Sequence, residues 1–336
     1  MIRTSGLTKD FVVSRTQTVH AVRGVDLRVD DGEMVAVLGP NGAGKTTTMR
    51  MLTTLLRPTA GTATVAGYDV VALPAQVRRN LGYVGQGNGA GHAQRAVDEL
   101  VVQGAIYGLD ARAARRRAAE LLDGLGLSEF GARTVSDLSG GQRRRLDVAL
   151  GLVHAPRLLV LDEPTTGLDP HNRANLWEHI GRLRTEHEMT ILLTTHYLEE
   201  ADAAAQRVVV VDHGEVIADD TADALKRELA GDAVVLRVAG SDGEAGRLAT
   251  MVGRLPGGRD VVVDGDQVRA KVADGPGAVP EILRVATAAG LSVTAAEAVR
   301  PTLDDVFLSL TGRSLRESVA DQSEHSEQSP TRKEAA

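Results

Sequence analysis

The chain contains no cysteine. That excludes a disulfide framework, a thiol nucleophile and a thiolate metal site. Aromatic residues are only 2% of its 336 residues, which argues against a surface that stacks on successive nucleic-acid bases. A net charge of -7 gives no basic footprint, so nucleic acid is not an expected partner. Long hydrophobic runs are also missing. Leu158–Leu161 and Val208–Val211 are among the longest. Both fall far short of the ~18–20 apolar residues that span a bilayer. The N-terminus, Met1 to Asp10, lacks the apolar core of a signal peptide. A soluble, cytoplasmic chain is expected, and any membrane role would need a partner chain. The length allows two domains with sizeable cores.

What is present centres on Gly39-Pro40-Asn41-Gly42-Ala43-Gly44-Lys45-Thr46-Thr47, which fits the pattern G-x-x-x-x-G-K-[ST]. Met34–Leu38 before it reads as a buried strand. Thr46 to Leu56 after it reads as a helix, with Met49, Leu52 and Leu56 apolar. Strand, glycine-rich loop and helix form a cradle for the phosphates of a nucleoside triphosphate. Backbone N–H groups turn inward and the helix N-terminus adds partial positive charge. Lys45 would reach the β- and γ-phosphates, Thr46 would hold Mg²⁺, and Thr47 could donate to the α-phosphate.

Residues 1–38 alternate in short apolar runs and predict an antiparallel β-layer that feeds the loop strand. Phe11 reads from chemistry alone as a core residue, with stacking on a nucleotide base as the alternative. Further strands are expected at Thr62–Val65 and Leu81–Val84, with a helix at Pro74–Asn80 between them. Gln86 opens a soft loop, Gly87–His92, and residues 93–127 read as helices. Arg112, Arg115, Arg116 and Arg117 fit the solvated face of an amphipathic helix. In Leu138-Ser139-Gly140-Gly141-Gln142, Ser139 can cap the following helix, whose start is then a second anion site.

Leu158-Leu-Val-Leu-Asp162-Glu163 reads as a buried parallel strand with its charge at the C-terminal edge. Open α/β sheets bind ligands at that edge. Asp162 would hold Mg²⁺ there, and Glu163 is a candidate to polarise an attacking water. A turn at Thr165–Pro170 leads to a helix over 171–187 and a strand at Thr190–Thr194. His196 follows, placed to touch a γ-phosphate. The first domain closes near residue 220.

These ordered signals resemble the nucleotide-binding subunit of an ATP-binding-cassette (ABC) transporter. The resemblance covers roughly residues 1–220. It implies an α/β fold: a P-loop NTPase of ABC type with an antiparallel β-layer and a helical subdomain at about 87–150. Its implied cofactors are ATP and Mg²⁺. It implies Gln86 as sensor of Mg²⁺ and water facing a transmembrane partner, Glu163 as catalytic base and His196 as γ-phosphate sensor. Ser139, Gly140, Gly141 and Gln142 would complete the ATP site of the opposite subunit, with Asp169 beside them. Phe11 sits where such proteins place an aromatic ring against adenine.

Residues 221–312 read as βαββαβ, a small ferredoxin-like α+β domain. Its strands are expected at Ala233–Ala239, Asp260–Val263, Gln267–Val272 and Leu291–Val299, and its helices at Gly243–Leu255 and Pro280–Ala289. The closing Pro301–Gly312 segment is similar to the C-terminus of the daunorubicin-resistance type of ABC ATPase. Residues 313–336 are polar and expected to be disordered. The resemblance implies a homodimer around two ATP molecules that drives efflux of a drug or other hydrophobic compound. It would act through separate integral membrane permease subunits, peripheral on the cytoplasmic face of the membrane. The docking surface is expected beside Gln86, at Gly87–His92, Val97 and Leu100. The competing readings are a soluble ABC ATPase acting on nucleic acid or ribosomes, and an inactive regulatory homologue.

Overall fold

The structure is a computed structural model that describes residues 1–239, 242–255 and 257–313. Beyond Arg313, the expected disordered tail lies outside the described residues. Contacts divide the chain into two units, Met1–Asp219 and one beginning at Asp220.

In the first unit, β1 (Ile2–Val12), β2 (Thr18–Val25) and β3 (Arg28–Val29) precede β4 (Met34–Leu38) and α1 (Lys45–Leu52). Next come β5 (Ala60–Val65), β6 (Tyr68–Asp69), α2 (Pro74–Asn80) and β7 (Leu81–Val84). The helical region holds α3 (Ala96–Ile106), α4 (Ala111–Gly124) and α5 (Gly140–Leu152). The chain returns through β8 (Leu158–Asp162), α6 (Pro170–His187), β9 (Thr190–Thr195), α7 (Leu198–Ala204), β10 (Arg207–Asp212) and β11 (Glu215–Asp220).

The expected antiparallel layer forms in the order β2-β1-β5-β6, with β3 on β1. The second sheet runs β11-β10-β4-β9-β8-β7, and its β10, β4, β9, β8 and β7 are mutually parallel. β4, β8 and β9 are buried along their whole length, as strands covered on both faces must be. Asp162 pairs with Thr194 and Leu38 with Thr195, so three strands end at one level. That shared C-terminal edge carries the site.

The boundaries differ most from the sequence reading at α1 and at α10. α1 ends at Leu52, short of Leu56. The Thr53 hydroxyl donates to the Met49 carbonyl, and Thr54 is left-handed with φ 64°, so the chain leaves the helix there. Leu56 packs on the core from outside the helix.

The second unit contains α8 (Ala222–Leu225) running into a π turn, β12 (Asp232–Val238), α9 (Asp242–Val252), β13 (Arg259–Asp264) and β14 (Gln267–Val272). It ends with α10 (Gly275–Ala288), β15 (Val293–Val299) and α11 (Leu303–Thr311). Its antiparallel sheet has the order β13-β14-β12-β15, the strand order of a ferredoxin-like βαββαβ unit. α10 starts at Gly275 rather than Pro280, because Asp274 caps it by accepting from Gly277 N. Pro276 occupies the first turn, where proline fits; Pro280 lies inside the helix. α11 carries a Thr302–Asp305 capping box and buries Phe307 completely.

Candidate functional site

The phosphate loop leaves β4 between β9 and β10. A side chain at Gly39 would place Cβ 2.1 Å from the Val211 carbonyl oxygen, so only glycine lets the loop pass β10. Gly44 is left-handed at φ 100°, and a Cβ there would lie 2.5 Å from the Ala21 oxygen. The loop is therefore seated against both β10 and β2. Lys45 is buried, and its Nζ donates to the carbonyls of Gly39 at 2.6 Å and Pro40 at 3.0 Å. Burial, the largest cause, pulls its pKa down, and Glu163 and Asp162 oppose that.

A polar cluster stands beside it. Asp162 accepts from the hydroxyls of Thr46 (3.0 Å) and Thr194 (2.7 Å), and Tyr83 Oη lies 3.4 Å from its other oxygen. Gln86 Nε2 donates to Thr46 Oγ1 at 3.2 Å. Thr46, Asp162 and Gln86 thus meet as an oxygen-rich donor set, the kind that suits a hard divalent cation such as Mg²⁺. Glu163 adopts φ 48°, a left-handed conformation rare outside glycine. Its N–H donates to Thr194 O and Oγ1, which anchors the turn. Its carboxylate lies 3.9 Å from Lys45 Nζ and 3.2 Å from His196 Nδ1, and accepts from Thr166. The His196 contact has the separation of an ion pair without the alignment of a hydrogen bond. It is nonetheless the largest cause holding the Glu163 carboxyl below its ordinary range, with Lys45 adding to it and burial opposing.

The site residues read from the sequence thus separate into groups. Lys45, Thr46, Gln86, Asp162, Glu163 and His196 are linked by direct contacts. Ser139 is exposed and heads α5 in a capping box with Gln142. Gly140 is exposed beside it, and Gly141 packs on Asn172, where a Cβ would fall 2.4 Å from Oδ1. Asn172 in turn bonds Asp169, the cap of α6. The Ser139 and Asp169 segments therefore adjoin each other. Phe11 is 39% exposed on β1, opposite Val19, with Lys9 Nζ 5.3 Å from its ring centroid. The core reading of Phe11 is thereby corrected: the ring sits on the β1–β2 hairpin with a face open to solvent. Leu100 is fully buried, so it packs the helical region rather than forming part of a docking surface.

Sequence reasoning passed over two buried side chains. Glu200 accepts from Thr165 Oγ1 (2.5 Å) and Thr195 Oγ1 (2.9 Å), tying the loop after Glu163 to the loop of His196. Arg173 lies 3.3 Å from Glu200 and stacks over Tyr197. The other is Arg144, on α5. Nothing in the sequence marks either; Arg144 stands between two further arginines.

A parallel sheet with a phosphate loop at its C-terminal edge, an antiparallel layer, a helical insertion and an Asp-Glu pair facing the loop lysine define the class: an ATP-binding cassette. Residues 22–166 match the family model of the ABC transporter, and residues 221–311 that of the DrrA1-3-like ATP-binding protein C-terminal domain. The chain is 45% identical to the daunorubicin resistance ATP-binding protein DrrA3 of Streptomyces coeruleorubidus, covering 93% of this chain and 98% of that protein. It is 34% identical to the linearmycin resistance ATP-binding protein LnrL of Bacillus subtilis, over 88% and 95% of the two chains. A solved dimeric cassette in a post-hydrolysis state, bound to ADP and Pi, superposes with a TM-score of 0.61 at 25% identity, over 66% of this chain and 98% of that one. The chain belongs to the ABC transporter ATP-binding proteins, of the daunorubicin-resistance type, and is an ATPase whose hydrolysis is coupled to transport.

Proposed function

We propose that this ATPase powers export of a drug or other hydrophobic compound through separate membrane subunits. In this reading two copies close around two ATP molecules. The relatives' names, daunorubicin and linearmycin resistance ATP-binding proteins, support the cargo class. The dimeric cassette supports the assembly. No helix among the described residues is long and apolar enough to cross a membrane, so the path for cargo belongs to a partner. A groove of about 290 Å³ beside Gln86, lined by Gly87, Gly89, Glu99, Gln103 and Tyr107, is the surface for a cytoplasmic segment of that partner. The chain would then sit peripherally on the cytoplasmic face of the membrane.

The observation that carries the chemistry is the contact of Glu163 with both Lys45 and His196. Lys45 and the loop N–H groups hold the phosphates, and Phe11 offers a ring face to adenine. Glu163, kept ionised by His196 and Lys45, takes the proton of the attacking water. His196 orients Glu163 and meets the γ-phosphate. Thr46, Asp162 and Gln86 would hold Mg²⁺, which neutralises phosphate charge when bound. Ser139, Gly140, Gly141 and Gln142 face the nucleotide of the second copy.

The test is Glu163→Gln. It should leave ATP affinity intact and slow hydrolysis by ~10²-fold or more, the scale of general-base loss. ATP should then hold the variant as a dimer on gel filtration. Rapid hydrolysis, or a monomer in the presence of ATP and Mg²⁺, would count against the reading.

A further inference from the structure

Arg144 is buried in α5, the helix that Ser139 caps. Its guanidinium reaches two loops that are far apart in sequence. Nε donates to the Pro164 carbonyl at 2.5 Å, Nη1 to the Gly85 carbonyl at 2.7 Å, and Nη2 lies 3.4 Å from the Glu163 carbonyl. Gly85 precedes Gln86, and Glu163 has the left-handed backbone described above. One side chain therefore grips the peptides carrying the two groups assigned to the reacting water.

The neighbouring acid extends the grip. Asp147, one turn along α5, lies 3.8 Å from Arg144 and accepts from the N–H groups of Gly89 and Ala90, at 2.9 and 3.2 Å. The pair holds the Gln86 loop at both ends, Arg144 by a carbonyl and Asp147 by two amides. Burying a guanidinium is costly unless its donors are satisfied, and here the acceptors are loop carbonyls rather than a close carboxylate. A residue serving packing alone would do as well with an apolar side chain. Its fork geometry suits the task, because separate N–H groups in one rigid plane fix the relative positions of the carbonyls they meet.

We infer that Arg144 is a positioning residue for hydrolysis: it sets Gln86 and Glu163 relative to one another, and it makes that setting depend on the helix that carries Ser139. The inference rests on the assignment of Gln86 and Glu163 to the attacking water. Closure of a second copy onto Ser139 pushes on α5, and Arg144 and Asp147 pass the shift to both loops. A lysine keeps the charge but cannot hold separate carbonyls in one plane.

The experiment is steady-state ATPase kinetics of the full chain carrying Arg144→Lys or Arg144→Met, alone and combined with Gln86→Ala. Thermal melting and nucleotide titration are run on each variant. Misplacing a catalytic group by about an ångström costs on the order of 10²-fold. Both variants should therefore lose about 10- to 100-fold in kcat, with ATP affinity and melting temperature close to those of the parent. Lysine should not rescue. In the Gln86→Ala background the loss should shrink, because one of the gripped groups is already gone. Full kcat in Arg144→Lys, additive losses with Gln86→Ala, or a fall in melting temperature and ATP affinity that accounts for the lost activity in both variants would overturn the inference. Glu163→Gln separates the two levels. If that variant is inactive while the Arg144 variants are fully active, only this inference fails; if it hydrolyses ATP normally, the assignment beneath it fails.

Discussion

Lys45 is a cation kept almost wholly from solvent, 4% exposed, with its ammonium donating to carbonyls of its own loop. Burial works against its charge, and Glu163 and Asp162 restore part of what burial removes. A buried cation poised in this way gains most when an anion arrives, because the local dielectric strengthens the contact. Lys45→Ala should therefore lose turnover altogether. ATP affinity should fall by about 10- to 100-fold, the equivalent of the ~1.5–3 kcal/mol of a charge-assisted hydrogen bond. Nucleotide titration and phosphate release check both, and near-normal turnover would remove Lys45 from the phosphate site.

Elements, rather than single residues, build the groove beside Gln86. β7, the end of α3 and the end of α5 meet there, and Tyr107 stacks on His154 with ring centroids 3.8 Å apart and planes nearly parallel. His154 Nε2 bonds the Leu81 carbonyl, and Nδ1 has no hydrogen-bond partner among the described residues. Burial is the largest cause that holds the His154 pKa below its ordinary value; Arg117 adds to it, and the Leu81 bond opposes. The folded chain thus disfavours a proton that the unfolded chain accepts near pH ~6.5. Stability from neutral His154 is present above that pH and is lost as pH falls through the lower folded value. His154→Phe keeps the stack and removes the titration. Melting curves from about pH 8 down to about pH 5 should show a shallower acid-side fall than in the parent chain. Equal slopes would refute this. At Leu100 in α3, by contrast, the side chain is core, and truncation to alanine should cost about 2–5 kcal/mol.

At the scale of the whole molecule, the question is which parts of the chain belong to one ATP site. Ser139 is exposed at the head of α5, while Lys45 is buried in the phosphate loop. If a site is built from the loop of one copy and the Ser139 segment of another, the two defects must complement. Ser139→Arg alone should abolish hydrolysis and leave ATP binding by the monomer intact. Mixing it with inactive Lys45→Ala should restore part of the activity. The mixed dimer then holds one site with an intact lysine facing an intact serine. A mixture as inactive as its components would place both residues in the same site.

The local pattern already contained much of this protein. The phosphate loop, the apolar strand ending in Asp162-Glu163 and the position of His196 are read directly, because each needs a short run of residues whose chemistry admits few alternatives. The order of the C-terminal strands is read as well, from alternation and turn chemistry. Boundaries were legible only where a local device marks them: Ser139 announces the start of α5, but Thr54 gives no sign that α1 stops. Residue chemistry alone put Phe11 in the core, because a lone aromatic ring is normally buried; the resemblance implied a place against adenine, and the sheet shows the ring at the surface. The clearest case is Arg143, Arg144 and Arg145, identical as letters. The first bonds the Leu138 carbonyl, the last the Leu125 carbonyl, and the middle one the loops of Gln86 and Glu163. Successive positions on a helix point about 100° apart, so three equal side chains meet three different environments. What each does depends on which distant segments the fold packs around α5.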